Sequence, residues 1–205
     1  MVNYNKKTIP ANWKIKLLKQ IEPNIITGKT PSTEDKSNYG NEVPFITIGD
    51  IRNNKYVVNT EISLSHKGAN IQTNKYIPAG SLCVTCIASP GIMGFSTEDS
   101  QTNQQINTIV FSDKRNKEYL FCYLRRYFNQ HGTVKTGNTF ANMNKEDFSN
   151  IPVVYPDDST LKSFDDLIKP HTEQIERLSL ENKHLMQLRN WLLPMLMNGQ
   201  ATITD

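Results

Sequence analysis

Residues 159–199 carry the pattern that most restricts how this chain can fold. Apolar or half-apolar side chains recur there at alternating steps of three and four residues. This spacing is typical of a coiled-coil seam and is narrower than the stripe of a helix that lies on its own core. The seam consists of Leu161, Phe164, Ile168, His171, Ile175, Leu178, Leu185, Leu192 and Leu196, with Asn182 and Arg189 filling the two gaps.

The limits of this helical stretch can also be predicted. Ser159 or Thr160 is expected to cap its start, and Gly199 lies where a left-handed cap would end it. Pro170 is expected to break the run, which leaves a short first helix and a second helix from residue 171 to about residue 193. The second helix would be about 35 Å long at 1.5 Å per residue. Since the sequence shows no other helix of similar length, the seam predicts self-association or docking on another subunit.

The remaining residues are sufficient for one globular domain. The chain has 205 residues, of which 37% are hydrophobic, so we predict a domain over residues 1–158 and a helical segment over residues 159–205. It has no run of 18 apolar residues, and its first residues lack the apolar core of a signal peptide. A soluble, cytoplasmic protein that does not bind membranes is therefore expected. Three cysteines, an odd number, suit a reducing compartment.

Charge is distributed unevenly along the chain. Residues 1–150 contain 18 Lys and Arg against 12 Asp and Glu, a net charge of +6, whereas residues 151–205 contain 5 against 8, a net charge of −3. A basic domain on an acidic helix suggests that the domain binds a polyanion and the helix binds protein. Ordinary variation of surface charge is the alternative explanation.

Short apolar runs alternate with polar loops in residues 1–158. A short amphipathic element around Trp13 opens the domain, and loops rich in Gly, Asn, Ser and Thr are predicted over 28–41 and 132–148. Strands are predicted over 43–51, within 75–89, at the end of 102–111 and over 149–156. A helix is predicted over 116–131, with an apolar face formed by Tyr119, Leu120, Tyr123, Leu124 and Tyr127. The predicted fold class is α+β: a mixed α/β domain followed by a long C-terminal α-helix that forms an antiparallel coiled-coil dimer.

The residues needed for catalysis are not grouped in a recognisable pattern. Cys83 and Cys86 form a CxxC, but residues i and i+3 of a strand point to opposite faces, so core cysteines are expected rather than a redox or zinc site. The acidic pairs at 34–35 and 157–158 are expected to be a charged loop and a helix start rather than convergent ligands of a nuclease. The sequence contains neither a GxxxxGK[ST] phosphate loop nor the Asn/Asp-Pro-Pro-aromatic tetrad of amino-methyltransferases. We therefore predict a non-catalytic chain with no metal or cofactor of its own.

The polar loops do carry groups that suit DNA recognition. Asn and Gln can bind adenine in a bidentate manner, Lys and Thr can hold phosphates, and Gly allows close approach of the backbone. Turn residues without a binding role are the alternative. The candidate DNA-binding residues are Lys29, Thr30, Ser32, Tyr39, Ser89, Met93, Asn103, Gln104, Gln105, Lys135, Thr136, Asn138, Thr139 and Asn142.

Four segments, in this order along the chain, resemble the DNA-specificity (S) subunits of type I restriction–modification systems. They are Pro10-x-x-Trp13 with Leu17; Gly28-Lys29-Thr30-Pro31 with Pro44-Phe45-Ile46 and Gly49-Asp50-Ile51; Gly80-Ser81-Leu82, Ile87-Ala88-Ser89 and Gly91 with Asn103-Gln104-Gln105-Ile106; and Glu181-Asn182, Leu185, Leu188-Arg189 and Leu192-Leu193-Pro194, closing at Gly199. Each motif is loose by itself, but their order and spacing make the resemblance fairly specific. Together the segments span nearly the whole chain.

The resemblance implies a target-recognition domain that reads double-stranded DNA and a long helix that docks methyltransferase (M) subunits. The M subunits would bind S-adenosylmethionine and methylate adenine. The usual member has two recognition domains and two spacer helices, whereas this chain has one of each. The resemblance therefore implies a half-sized subunit that pairs with its copy and reads a bipartite palindromic site. Whether a restriction (R) subunit joins is left open.

The C-terminal helix is expected to offer two surfaces. The residues expected to contact a partner helix are Ile175, Leu178, Asn182, Leu185, Met186, Leu188, Leu192 and Leu193. Asn182 lies at the middle of the second helix, and we expect it to meet its copy near the two-fold axis and fix the register. With antiparallel tails of about 35 Å, the half-sites should lie about one duplex turn apart. Off the seam, a second apolar surface is expected to dock the M subunit, with burial on the domain as the alternative; it comprises Met186, Leu188, Leu193, Met195 and Met197.

The sequence alone is compatible with three other functions. A stand-alone dimeric DNA-binding regulator would share the basic domain and the paired helix but would bind no methyltransferase. A small nuclease would use the acidic loops with magnesium. A coiled-coil interaction protein would ignore DNA, and a salt series would separate it from the others, because affinity for DNA falls steeply as salt rises.

Overall fold

The computed structural model describes residues 2–4, 7–131 and 142–200. The chain divides into two compact units, which we call the head unit (Met1–Lys169) and the tail unit (Pro170–Asp205). Among the described residues, no helix is long and apolar enough to cross a membrane.

The elements are named in chain order. The strands are Val2–Tyr4 (β1), Lys7–Ile9 (β2), Lys14–Leu17 (β3), Ile25–Thr27 (β4), Tyr39–Ile46 (β5), Tyr56–Val57 (β6), Ile62–Leu64 (β7), Leu82–Thr85 (β8), Met93–Ser96 (β9), Gln101–Thr102 (β10), Ile106–Ile109 (β11) and Pro152–Tyr155 (β12). The α-helices are Leu18–Ile21 (α1), Ile48–Ile51 (α2), His66–Asn70 (α3), Asn116–His131 (α4), Lys145–Ser149 (α5) and Asp158–Met197 (α6). Single 3₁₀ turns occur at Lys36–Asn38 and Thr73–Lys75.

A five-stranded mixed sheet forms the centre of the head unit. Its strand order is β4–β11–β8–β9–β6, with β6 parallel to β9 and the other neighbours antiparallel. A smaller sheet joins β10, β5 and β7, and two antiparallel pairs join β12 to β3 and β1 to β2. Every residue of β8, β9 and β11 is buried, as expected of strands covered on both faces. The mixed α+β fold with a long C-terminal helix is thus confirmed.

Helix α4 covers one face of this sheet. Leu120 and Leu124, one helical turn apart, are fully buried in the same cluster as Val84 and Phe95 of the sheet. The prediction of a helix over 116–131 is confirmed. The predicted tyrosines of its face are only partly buried, however, and Phe121 and Phe128 occupy the remaining core positions.

The two cysteines of the CxxC lie on opposite faces of the sheet. Cys86 belongs to the cluster under α4, whereas Cys83 packs with Ile46 and Ile106 on the other face. Burial raises the pKa of the Cys83 thiol to about 12 and that of Cys86 to about 11. Both are therefore protonated core residues, as predicted from the alternation of a strand.

A buried carboxylate fixes the start of α4. Glu22 is fully buried and accepts hydrogen bonds from the Ser112 backbone N–H at 2.7 Å, the Ser112 hydroxyl at 2.6 Å and Asn116 Nδ2 at 2.7 Å. An anion at the N-terminus of a helix is favoured by the helix dipole and by the unpaired N–H groups there. The loop before α4 is thereby tied to the segment that precedes β4.

The predicted strand over 43–51 is wrong at both ends. Strand β5 begins four residues earlier, at Tyr39, and ends at Ile46. The following residues form α2, because the Asp50 carboxylate accepts from both the backbone N–H and the hydroxyl of Thr47, each at 2.7 Å. This reciprocal capping turns an apolar, β-branched run into a helical turn.

Helix α6 differs from the sequence prediction in its middle and at its start. It continues through Pro170 and Pro194 as one helix of 40 residues. Each proline removes one N–H bond and crowds the carbonyl four residues before it, but the helix is unbroken on both sides of it. The start is capped by Asp157, whose Oδ1 accepts the Thr160 N–H at 3.1 Å, rather than by Ser159 or Thr160.

The end of α6 is confirmed as a glycine cap. Gly199 has φ +67°, its N–H donates to the carbonyl of Leu196, and the N–H of Gln200 donates to the carbonyl of Met195. These two bonds define a Schellman motif, for which glycine is favoured because it adopts positive φ without strain.

Asp157 should make stability depend on pH in the acidic range. Hydrogen bonds from Ser159 and Thr160 lower the pKa of its carboxyl from 3.8 to about 2. The pKa of Asp157 is lower in the folded state than in the unfolded state. The stabilisation from its carboxylate is therefore complete above the unfolded-state pKa and is lost as pH falls through the folded-state pKa. The difference in free energy of unfolding between wild type and Asp157→Asn, measured by urea denaturation, should be larger at about pH 6 than at about pH 3. A difference that grew on acidification would contradict this assignment.

Candidate nucleic-acid interface

Three of the predicted polar loops meet at one end of the five-stranded sheet. Thr27 at the end of β4 pairs with Asn107, and Thr85 at the end of β8 pairs with Ile106, which begins β11. The antiparallel pairing therefore brings the loop after β4, the loop after β8 and the turn before β11 to the same edge. We call this edge the loop end of the sheet.

The loop after β4 lies against residues 102–103. The N–H of Lys29 donates to the carbonyl of Thr102 at 2.9 Å, and the Thr30 hydroxyl donates to Gln104 Oε1 at 2.7 Å. A Cβ on Gly28 would lie 2.2 Å from the carbonyl oxygen of Thr102 and 2.3 Å from that of Asn103. Glycine is thus required by the close approach of two backbones, and this approach leaves the Lys29 side chain exposed.

The turn before β11 presents three amides. Asn103 Oδ1 accepts the backbone N–H of Gln105 at 3.1 Å, and Asn103 Nδ2 donates to Gln105 Oε1 at 3.2 Å. Gln104, between them, is exposed and contacts Thr30. These amides hold one another in position while their remaining donors and acceptors stay available to a ligand.

The loop after β8 is joined to this amide turn and to the segment before α5. The N–H of Cys86 donates to the carbonyl of Gln105 at 2.8 Å, and the N–H of Met143 donates to the carbonyl of Cys86 at 2.9 Å. Ile87 forms an isolated antiparallel bridge with Asn142, whose side chain is exposed. Ala88 has φ +64°, a strained conformation for a residue with a Cβ, and such strain is common at functional loops.

The other candidate residues fall in different places. Met93 is 8% exposed and belongs to the core under α4, so its prediction as a DNA contact is corrected. Ser89 is half-buried, and its carbonyl accepts a hydrogen bond from the Thr85 hydroxyl. Tyr39 is also half-buried, and its hydroxyl donates to the carbonyl of Pro31. Ser32 is exposed in the same loop. Four candidates lie outside the described residues: Lys135, Thr136, Asn138 and Thr139.

Sequence reasoning missed a further segment at the loop end. Gln72 Nε2 donates to the carbonyl of Lys29 at 2.6 Å and to Gln101 Oε1 at 3.2 Å, and Lys75 Nζ donates to the carbonyl of Thr27 at 2.9 Å. Gln72 and Gln101 are both buried. The polar run over 70–75 has the same composition as the other loops, which is the signal that could have identified it.

Three of the four carboxylates considered for nuclease chemistry have structural partners. Asp35 accepts from Ser37 and pairs with Lys67 Nζ at 3.2 Å, and its pKa is lowered mainly by the Ser37 hydroxyl. Asp157 caps α6, and Asp158 pairs with Arg115 at 2.8 Å. Within the described parts of the chain, no three His, Cys, Asp or Glu residues are grouped so that they could hold a metal ion.

The tail unit exposes its apolar side chains. Along the predicted seam, Ile175, Leu178 and Leu185 are 47%, 45% and 55% exposed, and Asn182 is exposed as well. At 100° per residue, Leu188 lies about 60° and Met195 about 80° from Leu185 around the helix, on one flank of the seam. Trp191, which is 60% exposed and was missing from the sequence prediction, lies farther round on the same flank, about 120° from Leu185.

Comparison with curated proteins gives two relatives that share this sequence pattern. The chain is 38% identical over 197 residues to the type I restriction enzyme HindI specificity subunit of Haemophilus influenzae, covering 94% of this chain and 42% of the relative. It is 28% identical over 200 residues to the MjaIX specificity subunit of Methanocaldococcus jannaschii, covering 90% and 45%. The chain thus spans a little under half the length of these relatives.

Solved structures show the same fold. The HsdS subunit from Thermoanaerobacter tengcongensis matches with a TM-score of 0.60 at 18% identity, covering 94% of this chain and 46% of that one. A type I S subunit from M. genitalium matches with a TM-score of 0.59 at 12% identity, covering 90% and 46%. The family model described as the type I restriction modification DNA specificity domain matches residues 10–182. The chain therefore belongs to the family of type I restriction–modification DNA specificity domains.

Proposed function

We propose that this chain is a non-catalytic specificity subunit whose head unit binds double-stranded DNA at the loop end of the sheet. The observation that carries the proposal is the convergence there of exposed Lys29, the Thr30–Gln104 pair and the Asn103–Gln105 turn. A rigid sheet positions these groups, and each can form more hydrogen bonds than it forms here. This combination suits a surface that reads the edges of bases.

Within this surface we assign phosphate contacts to lysine and base contacts to the amides. Lys29 is exposed, and its backbone is held on both sides, by the Thr102 carbonyl at 2.9 Å and by Gln72 Nε2 at 2.6 Å. A fixed backbone with a free ammonium group suits a phosphate contact that sets the register on the duplex. Gln104 and Asn142, which are exposed, can present bidentate amides to adenine.

Lys29→Gln should weaken binding to all duplexes to a similar extent. One phosphate contact fewer should reduce the slope of log affinity against log salt concentration by about 0.9 for each head unit. Fluorescence anisotropy over a salt series measures this slope. Lys19→Gln is the matched control, because Lys19 is exposed in α1, which leads into the start of β4, whereas Lys29 follows the end of that strand. An unchanged slope in Lys29→Gln would remove Lys29 from the interface.

The tail unit supports pairing of two copies. A helix that exposes Ile175, Leu178 and Leu185 in a heptad pattern needs a partner to remove these side chains from water. In an antiparallel homodimer with its axis near Asn182, Leu178 of one copy would lie close to Leu185 of the other. Two copies paired in this way would supply two recognition units. A two-fold dimer reads the same sequence on both strands, so the site would be a bipartite palindrome.

The flank of the tail helix that carries Trp191 is assigned to a type I methyltransferase subunit. Leu188, Trp191 and Met195 follow one another at spacings of three and four residues, which gives an apolar stripe beside the seam. Exposed tryptophan and methionine are typical of protein interfaces. The partner would bind S-adenosylmethionine and methylate adenine, whereas this chain would supply only the choice of site.

Methylome sequencing tests the proposed function. Cells that express the chain together with its type I methyltransferase subunit should carry methyladenine in one interrupted palindromic motif, and cells that lack the chain should not. An asymmetric motif would contradict the homodimer, and the absence of any chain-dependent motif would contradict the specificity function. A stand-alone regulator would leave the methylome unchanged and would not co-purify with the methyltransferase subunit.

A further inference from the structure

One strongly exposed apolar side chain lies beside the loop end of the sheet. Ile71 is 64% exposed, compared with 43% for Ile15 and 38% for Ile62. Among the described residues before α6, no other large apolar side chain is as exposed as Ile71. It follows α3 and is surrounded in sequence by exposed Asn70, Thr73 and Asn74.

The turn that carries Ile71 is held against the proposed interface from two sides. Gln72 is 8% exposed and reaches the carbonyl of Lys29 at 2.6 Å, and Lys75 Nζ reaches the carbonyl of Thr27 at 2.9 Å. Gln101 Nε2 adds a bond to the carbonyl of Ala69 at 2.8 Å. The turn is thus joined by side-chain hydrogen bonds to the loop that presents Lys29.

Core packing does not explain this arrangement. The side-chain amides of Gln72 and Gln101 are buried and hold the turn in place, although the turn leaves the apolar side chain of Ile71 exposed. Buried polar networks are costly unless they are fully satisfied, and here their effect is to hold the turn in one orientation. An apolar side chain that is held next to amides and a lysine is suited to a ligand whose apolar group is surrounded by hydrogen-bond donors and acceptors.

We infer that Ile71 is a specificity-determining residue that packs against a thymine methyl group in the major groove of the target DNA. This inference rests on the proposed function of the loop end. The C5-methyl of thymine is the apolar group that the major-groove edge of a base pair offers. Exposed Asn70, Thr73 and Asn74 would contact polar atoms of the neighbouring bases.

A cycle of protein and DNA substitutions tests this contact. The full-length chain, co-purified with its methyltransferase subunit, is titrated with a duplex that carries the motif read by methylome sequencing. In a duplex series, each thymine of the motif in turn is replaced by deoxyuridine, which removes only the methyl group. For wild type, one position in each half-site should weaken binding about fourfold, the effect of one methyl group.

The Ile71 variants should then differ from wild type in their affinity for DNA and in their response to deoxyuridine. Ile71→Ala should bind the unmodified duplex about tenfold more weakly and should no longer respond to deoxyuridine at that position. Ile71→Val should keep the response, and Ile15→Ala should behave as wild type, because Ile15 lies in β3, which pairs with β12 and not with a strand of the loop end. The salt slope should not change in Ile71→Ala, because an apolar contact releases no counterions.

Two different failures can be distinguished. If wild type prefers the motif over a scrambled duplex but responds to deoxyuridine at no thymine, or if Ile71→Ala keeps the full response, the inference about Ile71 is overturned. If wild type binds the motif and the scrambled duplex equally, the proposed function of the loop end fails, and the inference fails with it.

Discussion

Replacing Leu178 and Leu185 together by glutamate should convert the chain from a dimer into a monomer. Both side chains are about half exposed on the seam of the tail helix, at 45% and 55%. In an antiparallel pair, Leu178 of one copy would face Leu185 of the other copy. The double variant would therefore place four glutamate carboxylates in an apolar interface. Burying unpaired charge costs several kcal/mol for each group, which exceeds what a seam of this length can supply.

The consequence for DNA binding should be large. Two linked head units bind a bipartite site with an avidity that exceeds the affinity of one unit by about 10²–10⁴, and the monomer loses this gain. Analytical ultracentrifugation gives the oligomeric state, and anisotropy with a two-half-site duplex gives the affinity. Binding to a single half-site should stay the same as in wild type, since the head unit is unchanged.

Trp191→Glu provides the matched control. Trp191 is 60% exposed, close to the values on the seam, but it lies about 120° from Leu185 and about 140° from Leu178 around the helix. This variant should remain a dimer and bind DNA normally, and it should lose co-purification with the methyltransferase subunit. A wild-type chain that sediments as a monomer at tens of micromolar, or a double variant that still dimerises, would refute the pairing of tails.

The parts of the fold that the sequence could predict are those governed by periodicity over many residues. Helix α4 was recoverable because its apolar positions repeat over four turns, and the opposite placement of Cys83 and Cys86 follows from the alternation of a strand. The long C-terminal helix was recoverable for the same reason, although Pro170 did not break it. A proline is a strong local signal for the end of a helix, but it disturbs only the turn before it, and the helical pattern continues on both sides of Pro170.

The errors occurred where a few side-chain contacts decide the conformation. Asp50 turns the end of an apparent strand into a helical turn by capping Thr47, and Asp157 takes the cap from the hydroxyl residues that follow it. Several side chains of the right type could form each contact, and only the folded geometry selects one. Periodicity contains no information about such choices.

The candidate site was predicted in its segments but not in its assembly. Loops 28–41 and 103–105 are polar in the sequence, loop 86–91 is marked by Pro90 and Gly91, and the strand pairing of β4, β8 and β11 is what brings them together. Met93 was misassigned because its neighbours Pro90 and Gly91 suggest an exposed loop, whereas the chain has already entered β9. The turn at 70–75 was missed because its link to Lys29 is made by the buried amide of Gln72, which is distant in sequence.

Gly28→Ala should abolish preference for the target site while the head unit remains folded. A Cβ at this position would lie 2.2 Å from both the carbonyl oxygen and the hydroxyl oxygen of Thr102 and 2.3 Å from the carbonyl oxygen of Asn103. Two of these atoms belong to the backbone, so the clash cannot be relieved by a change of side-chain rotamer. The loop must move away, and the bonds from Gly28 N–H to Ile106 and from Lys29 N–H to Thr102 must lengthen or break.

This displacement would separate the groups that are proposed to read DNA. Thr30 would lose Gln104, and Lys29 would no longer be held between Thr102 and Gln72. We expect the free energy of unfolding to fall by about 1–3 kcal/mol, the usual cost of overpacking. Affinity for the target should fall at least tenfold for each head unit, toward the non-specific level, because misplaced contacts still meet phosphates but no longer meet the correct base edges.

Two other glycines separate loss of stability from loss of recognition. Gly49→Ala should be neutral in both assays, because its Cβ would lie 3.6 Å from Thr47 Oγ1, an ordinary contact. Gly94→Ala should destabilise the fold by a similar amount to Gly28→Ala, since its Cβ would lie 2.6 Å from the carbonyl oxygen of Asn54. Because Gly94 lies within the sheet, its variant should keep the ratio of target to scrambled-duplex affinity. If Gly28→Ala kept that ratio as well, the loop after β4 could not be part of the reading surface.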